Sequence, residues 1–151
     1  MSKQITLIPE LNENVAFMMG LAYKQFRTIT NQKLTTEFDI TLEMLGALRV
    51  LDYLGKVPQQ TLSTALHRER SVTKRLVDNC IKRGLIEVHK SDENKKARYL
   101  ALTADGLTTK TNADIMLHAS IAEFYSPLSS SECDQLLSIC KKLVQEGVCI
   151  E

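Results

Sequence analysis

Between His67 and Arg98 the chain holds ten Lys/Arg against five Asp/Glu, a balance of +5, while the rest of the 151 residues carries −4. The net charge of +1 conceals this segregation, yet segregated charge sets a local field whatever the total. Two clusters stand out within the stretch. Arg70, Ser71, Thr73, Lys74 and Arg75 open a segment of helical period, and Lys95, Lys96 and Arg98 close a polar run between two alternating segments. Arg and Lys donate to guanine O6 and N7, and Ser or Thr hydroxyls contact bases or phosphates. Cations on a hairpin tip track phosphates or enter the minor groove. The chemistry these residue types suit is recognition of double-stranded DNA. On its own, the first cluster reads equally well as the solvated face of an amphipathic helix. A second basic cluster beside it, in this order, favours the nucleic acid.

The elements that must carry these clusters follow from periodicity. After a mixed, extended lead-in over residues 1–11, Asn12 or Asn14 caps a helix with Val15, Met18, Met19, Ala22, Phe26 and Ile29 on one stripe, running to about Asn31. Asp39 or Thr41 caps a second helix, Leu42 to Leu54, whose broad apolar surface predicts burial on most sides; Gly55 stops it. Pro58 suits the first turn of a short helix, Gln59 to Leu66. A break at His67–Glu69 leads to a helix from Arg70 to about Arg83, apolar at Val72, Leu76, Val77, Cys80 and Ile81 and ended by Gly84. The period then becomes two. Ile86 and Val88 alternate with Glu87 and His89, a polar loop spans Lys90 to Lys96, and Arg98 to Thr103 alternates again, which reads as a β-hairpin. Thr103 opens a long helix to about Phe124. Pro127 breaks the chain, Ser129 with Glu132 forms a capping box, and a last helix runs to near Gly147 with Cys133, Leu136, Leu137, Cys140, Leu143 and Val144 in apolar register.

The fold class expected is mainly α with a small β-hairpin wing: a winged helix–turn–helix over residues 38–103, within a single domain 1–151. Helices over 12–31 and 104–147 flank it. These helices carry more apolar stripe than one small module can cover, so they are expected to bury it against a second copy as a homodimer. A helix–turn–helix lays its second helix in the major groove.

The stretch from Thr41 to Gly106 resembles the MarR family of winged-helix regulators. The matching pieces are Thr41 through Leu48, the Leu62 and Leu66 pair, Arg75-Leu-Val-Asp78, Gly84-Leu-Ile86 and, after the wing, Leu102-Thr-Ala-Asp-Gly106. The resemblance implies a homodimeric transcription regulator, a repressor, held together through its terminal helices. It also implies a small aromatic effector bound between those helices and the winged module. The family's wing usually carries Asp-x-Arg ahead of the Leu-Thr-x-x-Gly ending; here Asn94 and Lys96 stand at those positions. Lys keeps the charge of Arg without its planar fork. That departure leaves a second reading open, a winged-helix protein-interaction module that presents its basic face to an acidic partner.

Other chemistries find little footing. No two of His67, His89 and His118 are spaced as metal ligands. There is no phosphate-binding glycine loop, no nucleophile elbow and no His paired with a carboxylate on one helix face, so neither an enzyme nor a cofactor is expected. Cys80, Cys133 and Cys140 fall on apolar stripes and read as buried thiols, whereas Cys149 reads as exposed. Met18 and Met19 read as core. No basic region followed by a clean apolar stretch opens the chain and no segment is long enough to span a bilayer, so a cytoplasmic protein with reduced thiols is expected, with no membrane partner.

Overall fold

The computed structural model describes residues 7–94 and 96–151. In chain order the elements are α1 (Pro9–Asn12), α2 (Val15–Phe38), α3 (Leu42–Leu54), α4 (Gln59–Leu66), α5 (Arg70–Lys82), β1 (Ile86–Lys90), β2 (Arg98–Leu102), α6 (Ala104–Phe124) and α7 (Ser130–Leu143). Side-chain caps start most of the long helices. The Asn14 side chain accepts from the Phe17 amide, Thr41 from Met44 and Thr103 from Gly106. Ser129 and Glu132 cap each other's backbone in a reciprocal box. Each such cap satisfies amides that the helix itself leaves unpaired.

Helix α3 is the centre. Met44, Leu45, Ala47, Leu48 and Leu51 are buried, and α2, α4, α5, α6 and β2 all pack on it. The remaining core is supplied mainly by Leu34, Ile40, Leu62, Leu76, Val77, Cys80, Leu85, Ile86, Leu100, Ala113 and Leu117. Helix α7 contributes no buried residue. Among the described residues, no helix is long and apolar enough to cross a membrane.

Three elements differ from the expectation. A short helix, α1, replaces the extended lead-in over its residues, with Pro9 in its first turn and the Ile8 amide donating to the Asn12 side chain. Helix α2 runs past Asn31 to Phe38, because Thr30 and Leu34 continue its buried stripe. The hydroxyls of Thr28, Thr30 and Thr35 bond back to carbonyls four residues earlier, which satisfies them without interrupting the helix. It stops where Asp39 turns left-handed, with φ 53°. Helix α7 ends at Leu143 rather than near Gly147, and Val144 is extended.

The hairpin pairs antiparallel in the register Ile86 with Leu102, Val88 with Leu100 and Lys90 with Arg98. Val57 adds a further bridge on the other edge of Leu100, giving that strand two neighbours at its buried centre. Ile86 and Leu100 are buried, whereas Val88 lies beyond the edge of the core and is exposed.

Helix α5, the hairpin and helix α6 meet at one junction. The Thr103 hydroxyl donates to the Gly84 carbonyl at 2.6 Å, and the Thr103 amide to the Leu85 carbonyl at 3.1 Å. One turn into α6, a Cβ on Gly106 would lie 2.1 Å from the Leu85 oxygen, so only glycine fits without a shift. Polar links fix the other helices. The Lys33 ammonium donates to Ser120 at 2.6 Å, the Asn31 side chain accepts the Leu42 amide at 2.6 Å, and Arg27 pairs with Glu43. Arg49, Asp114, Lys110 and Asp52 form a charge network between α3 and α6.

Replacing Gly106→Ala forces the α6 backbone away from Leu85, and we expect a loss of about 1–3 kcal/mol in urea unfolding, as for other overpacked sites. A second expectation concerns pH. Burial would raise the Asp114 carboxyl, but hydrogen bonds and charge from Arg49 and Lys110 outweigh it and hold it below the ordinary carboxylate range. A depressed folded pKa stabilises above the unfolded value, about 3.9 for Asp, and the gain is lost as pH falls through the folded value. Asp114→Asn should therefore lower stability by about 1 kcal/mol at neutral pH and by progressively less below about pH 4, read by urea titrations at both ends.

Candidate nucleic-acid interface

Helix α4 and helix α5 are joined by a three-residue turn. His67 is left-handed at φ 53°, and its amide and that of Arg68 close the end of α4 by donating to Thr64 and Ser63 carbonyls. Leu62 packs α4 into the core beside Ser63. The buried stripe of α5 is Thr73, Leu76, Val77 and Cys80. Arg70, Ser71, Lys74 and Arg75 are all exposed. Glu69 stands at the N-cap of α5 without a side-chain cap, so the first-turn amides of this helix have no side-chain acceptor. An uncapped N-terminus with adjoining cations is a receptive place for phosphate oxygens.

One expected member of this face is not on it. Thr73 is fully buried, and its hydroxyl donates to the Glu69 carbonyl at 3.0 Å. The stripe keeps the expected Leu76, Val77 and Cys80, with Thr73 in place of Val72 and without Ile81. Val72 is half-buried and Ile81 exposed, while positions 73, 76, 77 and 80 follow the i, i+3, i+4, i+7 spacing of a core face. That spacing was the signal available; the polar identity of Thr hid it. Thr can stand there because its hydroxyl is satisfied by its own helix.

The exposed cations differ in their engagement. Lys74 pairs with Asp78 one turn on at 2.9 Å. This is a surface pair worth little and readily exchanged for another anion. Among the described residues, Arg70 and Arg75 make no ion pair. Arg83, at the other end of the helix, is committed to structure: it donates to the Asp39 and Asn79 carbonyls and pairs with the Asp39 carboxylate at 3.3 Å.

The wing follows α5 across Gly84, and β1 packs against that helix. Lys96 and Arg98 are exposed; Lys95 lies outside the described residues. The cross-strand partner of Arg98 is Lys90, so a cation assigned to the loop extends the basic edge of the hairpin. Farther down the strand the Lys56 ammonium sits 5.9 Å from the centre of the Tyr99 ring. The tip also carries Asp92 and Glu93, both exposed. Asn94 shapes the tip. Its side chain accepts the Lys96 amide at 3.1 Å, and its own amide donates to the Ser91 hydroxyl at 3.2 Å. The residue standing where the family's wing has Asp thus serves the loop backbone.

Burial pushes the Cys80 thiol up to about 12, with only a small opposing effect from Arg83. Cys133 and Cys140 are half-buried and Cys149 is exposed. His89 lies 2.9 Å from Glu87, and His118 is exposed. Among the described residues, no group of three His, Cys, Asp or Glu side chains stands together as a metal site would require.

No family model matches the chain. It is 34% identical over 97 residues to the transcriptional repressor MprA of Escherichia coli strain K12, a match that takes in 60% of this chain and 55% of that protein. The chain thus spans about half the length of that repressor. It is 29% identical over 102 residues to the HTH-type transcriptional regulator BilQ of Clostridium symbiosum, covering 66% of this chain and 71% of the relative. Among solved structures, a mutant MarR from Escherichia coli complexed with operator DNA superposes with a TM-score of 0.78, covering 95% of this chain and all of the other at 17% identity. The fold of the chain is thus the winged helix–turn–helix of that MarR structure.

Proposed function

We propose that the chain is a homodimeric, sequence-specific DNA-binding regulator of transcription that acts in the cytoplasm as a repressor. In this reading α5 enters the major groove and the wing meets the minor groove or the backbone. The observation that carries it is the exposed, uncapped first turn of α5. Arg70 and Ser71 flank its free amides, Lys74 and Arg75 stand one turn on, and the cations of the wing follow in the next element. Arg70, Ser71, Lys74 and Arg75 are the residues assigned to base and phosphate contacts. Lys95, Lys96 and Arg98 are assigned to the wing contact.

The dimer is supported by what the single chain leaves uncovered. Phe17, Met18, Met19, Leu21 and Ile29 of α2 and Leu136, Leu137, Ile139 and Leu143 of α7 are exposed. Isolated apolar side chains need no explanation, but two helices presenting this many do. A second copy related by a two-fold axis covers both, and the DNA site is then pseudo-palindromic. The repressor role is supported by the name of the relative MprA. A small aromatic effector rests on the family resemblance alone.

Gel-shift titrations at several salt concentrations test the assignment. Arg75→Ala or Lys74→Ala should cost about 1–3 kcal/mol on the preferred sequence if each makes a good base contact. Lys96→Ala and Arg98→Ala should weaken binding to all sequences alike and flatten the slope of log K against log salt by about 0.9 for each phosphate no longer neutralised. Unchanged affinity in all four variants would refute DNA binding through this face and favour the protein-interaction module.

A further inference from the structure

The chain beyond α7 returns to the helix–turn–helix. After Leu143 it is extended, turns at Gly147 with φ 81°, and lays Ile150 parallel to Arg68. Three hydrogen bonds hold it there. The Ile150 amide donates to the His67 carbonyl at 2.6 Å, the Glu69 amide donates to the Ile150 carbonyl at 3.0 Å, and an Arg68 guanidinium nitrogen donates to the Glu151 carbonyl at 3.4 Å. From Lys141 onward no residue is buried, so the strap is held by these bonds and little apolar cover.

We propose that this strap, residues 147–151, is an autoinhibitory contact: it occupies donors on the turn before the recognition helix that a DNA phosphate would otherwise take. The inference rests on the DNA-binding reading above. Backbone amides and Arg side chains flanking a recognition helix are the groups that ordinarily hold the phosphate backbone. Here the Glu69 amide and the Arg68 guanidinium both donate to strap carbonyls, immediately before the exposed Arg70 and Ser71. The strap also carries negative charge to that place. Glu146 and Glu151 are the only charged side chains after Lys142. A carboxylate beside the turn repels the phosphates that Arg70 attracts. Because the hold is a few exposed hydrogen bonds, release is local and leaves the core untouched.

The full chain and three variants, compared by fluorescence anisotropy on one duplex across a salt series, test this. Ile150→Pro removes the amide donated to His67 without changing the charge. Glu151→Gln removes charge and leaves the pairing. A chain ending at Glu146 removes the strap. Ile150→Pro and the shortened chain should each bind about tenfold more tightly near 0.15 M salt, with a salt slope steeper by about 0.9, as expected when one more phosphate is neutralised. Glu151→Gln should bind about twofold more tightly, by removing one repulsion at the surface. Equal or weaker binding by both Ile150→Pro and the shortened chain, with the parent chain binding normally, would overturn the strap alone and make it a brace. No binding by any of the four would overturn the DNA-binding reading and this proposal with it.

Discussion

A missing side chain sets the frame. At Gly106 a Cβ would meet the Leu85 carbonyl oxygen at 2.1 Å, and its absence lets the first turn of α6 rest on the link between α5 and the wing. Thr103 completes the joint by capping α6 with its hydroxyl while donating that same hydroxyl to Gly84. The end of α5, both strands of the hairpin and the start of a 21-residue helix are therefore held by a few atoms. The close approach at Gly106 and the two Thr103 bonds fix how α6 sits against the hairpin and the end of α5. The basic face is useful only if its two elements keep a fixed relation, and this junction supplies it.

The core divides the molecule unequally. Helix α3 is surrounded, and the winged module around it holds most of the buried side chains. Helix α2 buries only Thr30 and Leu34 of its 24 residues, and α7 buries none. The charge network Arg49–Asp114–Lys110–Asp52 ties α3 of the winged module to α6, and the Lys33–Ser120 bond ties the flanking helices α2 and α6 to each other. Phe17 and Met18 of α2 and Leu137 and Leu143 of α7 are exposed. A rigid winged module and an unfinished apolar surface on the same chain are the physical basis of the proposed dimer.

Most of this was legible in the residues. Helices α3 and α4 have the bounds their periodicity predicts, and Thr41, Thr103 and the Ser129–Glu132 pair cap as their types require. What was hidden has particular causes. Thr73 reads as polar, yet a hydroxyl bonded to Glu69 behaves as a small buried group. The clear apolar stripe of α2 ends at Ile29 in the sequence, yet the helix continues to Phe38 with Thr30 and Leu34 buried. Val57, before Pro58, pairs with Leu100 as a one-residue edge that no alternation announces. The strap at Ile150 is a long-range pairing of main-chain groups, and local pattern carries no information about it. At the wing, the Asn94 and Lys96 departures were visible as identities, but that Asn94 braces the loop appears only in its bond to the Lys96 amide.

The central claim, that two copies of this chain read DNA through α5, is tested most directly by selecting bound sequences from a random duplex pool with the purified full chain. The predicted result is an enriched motif of two inverted half-sites whose centres lie about 10 base pairs apart, one helical turn. Both halves should be protected by a particle with the mass of two chains. An enriched motif with a single half-site bound by one chain would contradict the dimer. No enrichment over the starting pool would contradict sequence-specific reading altogether.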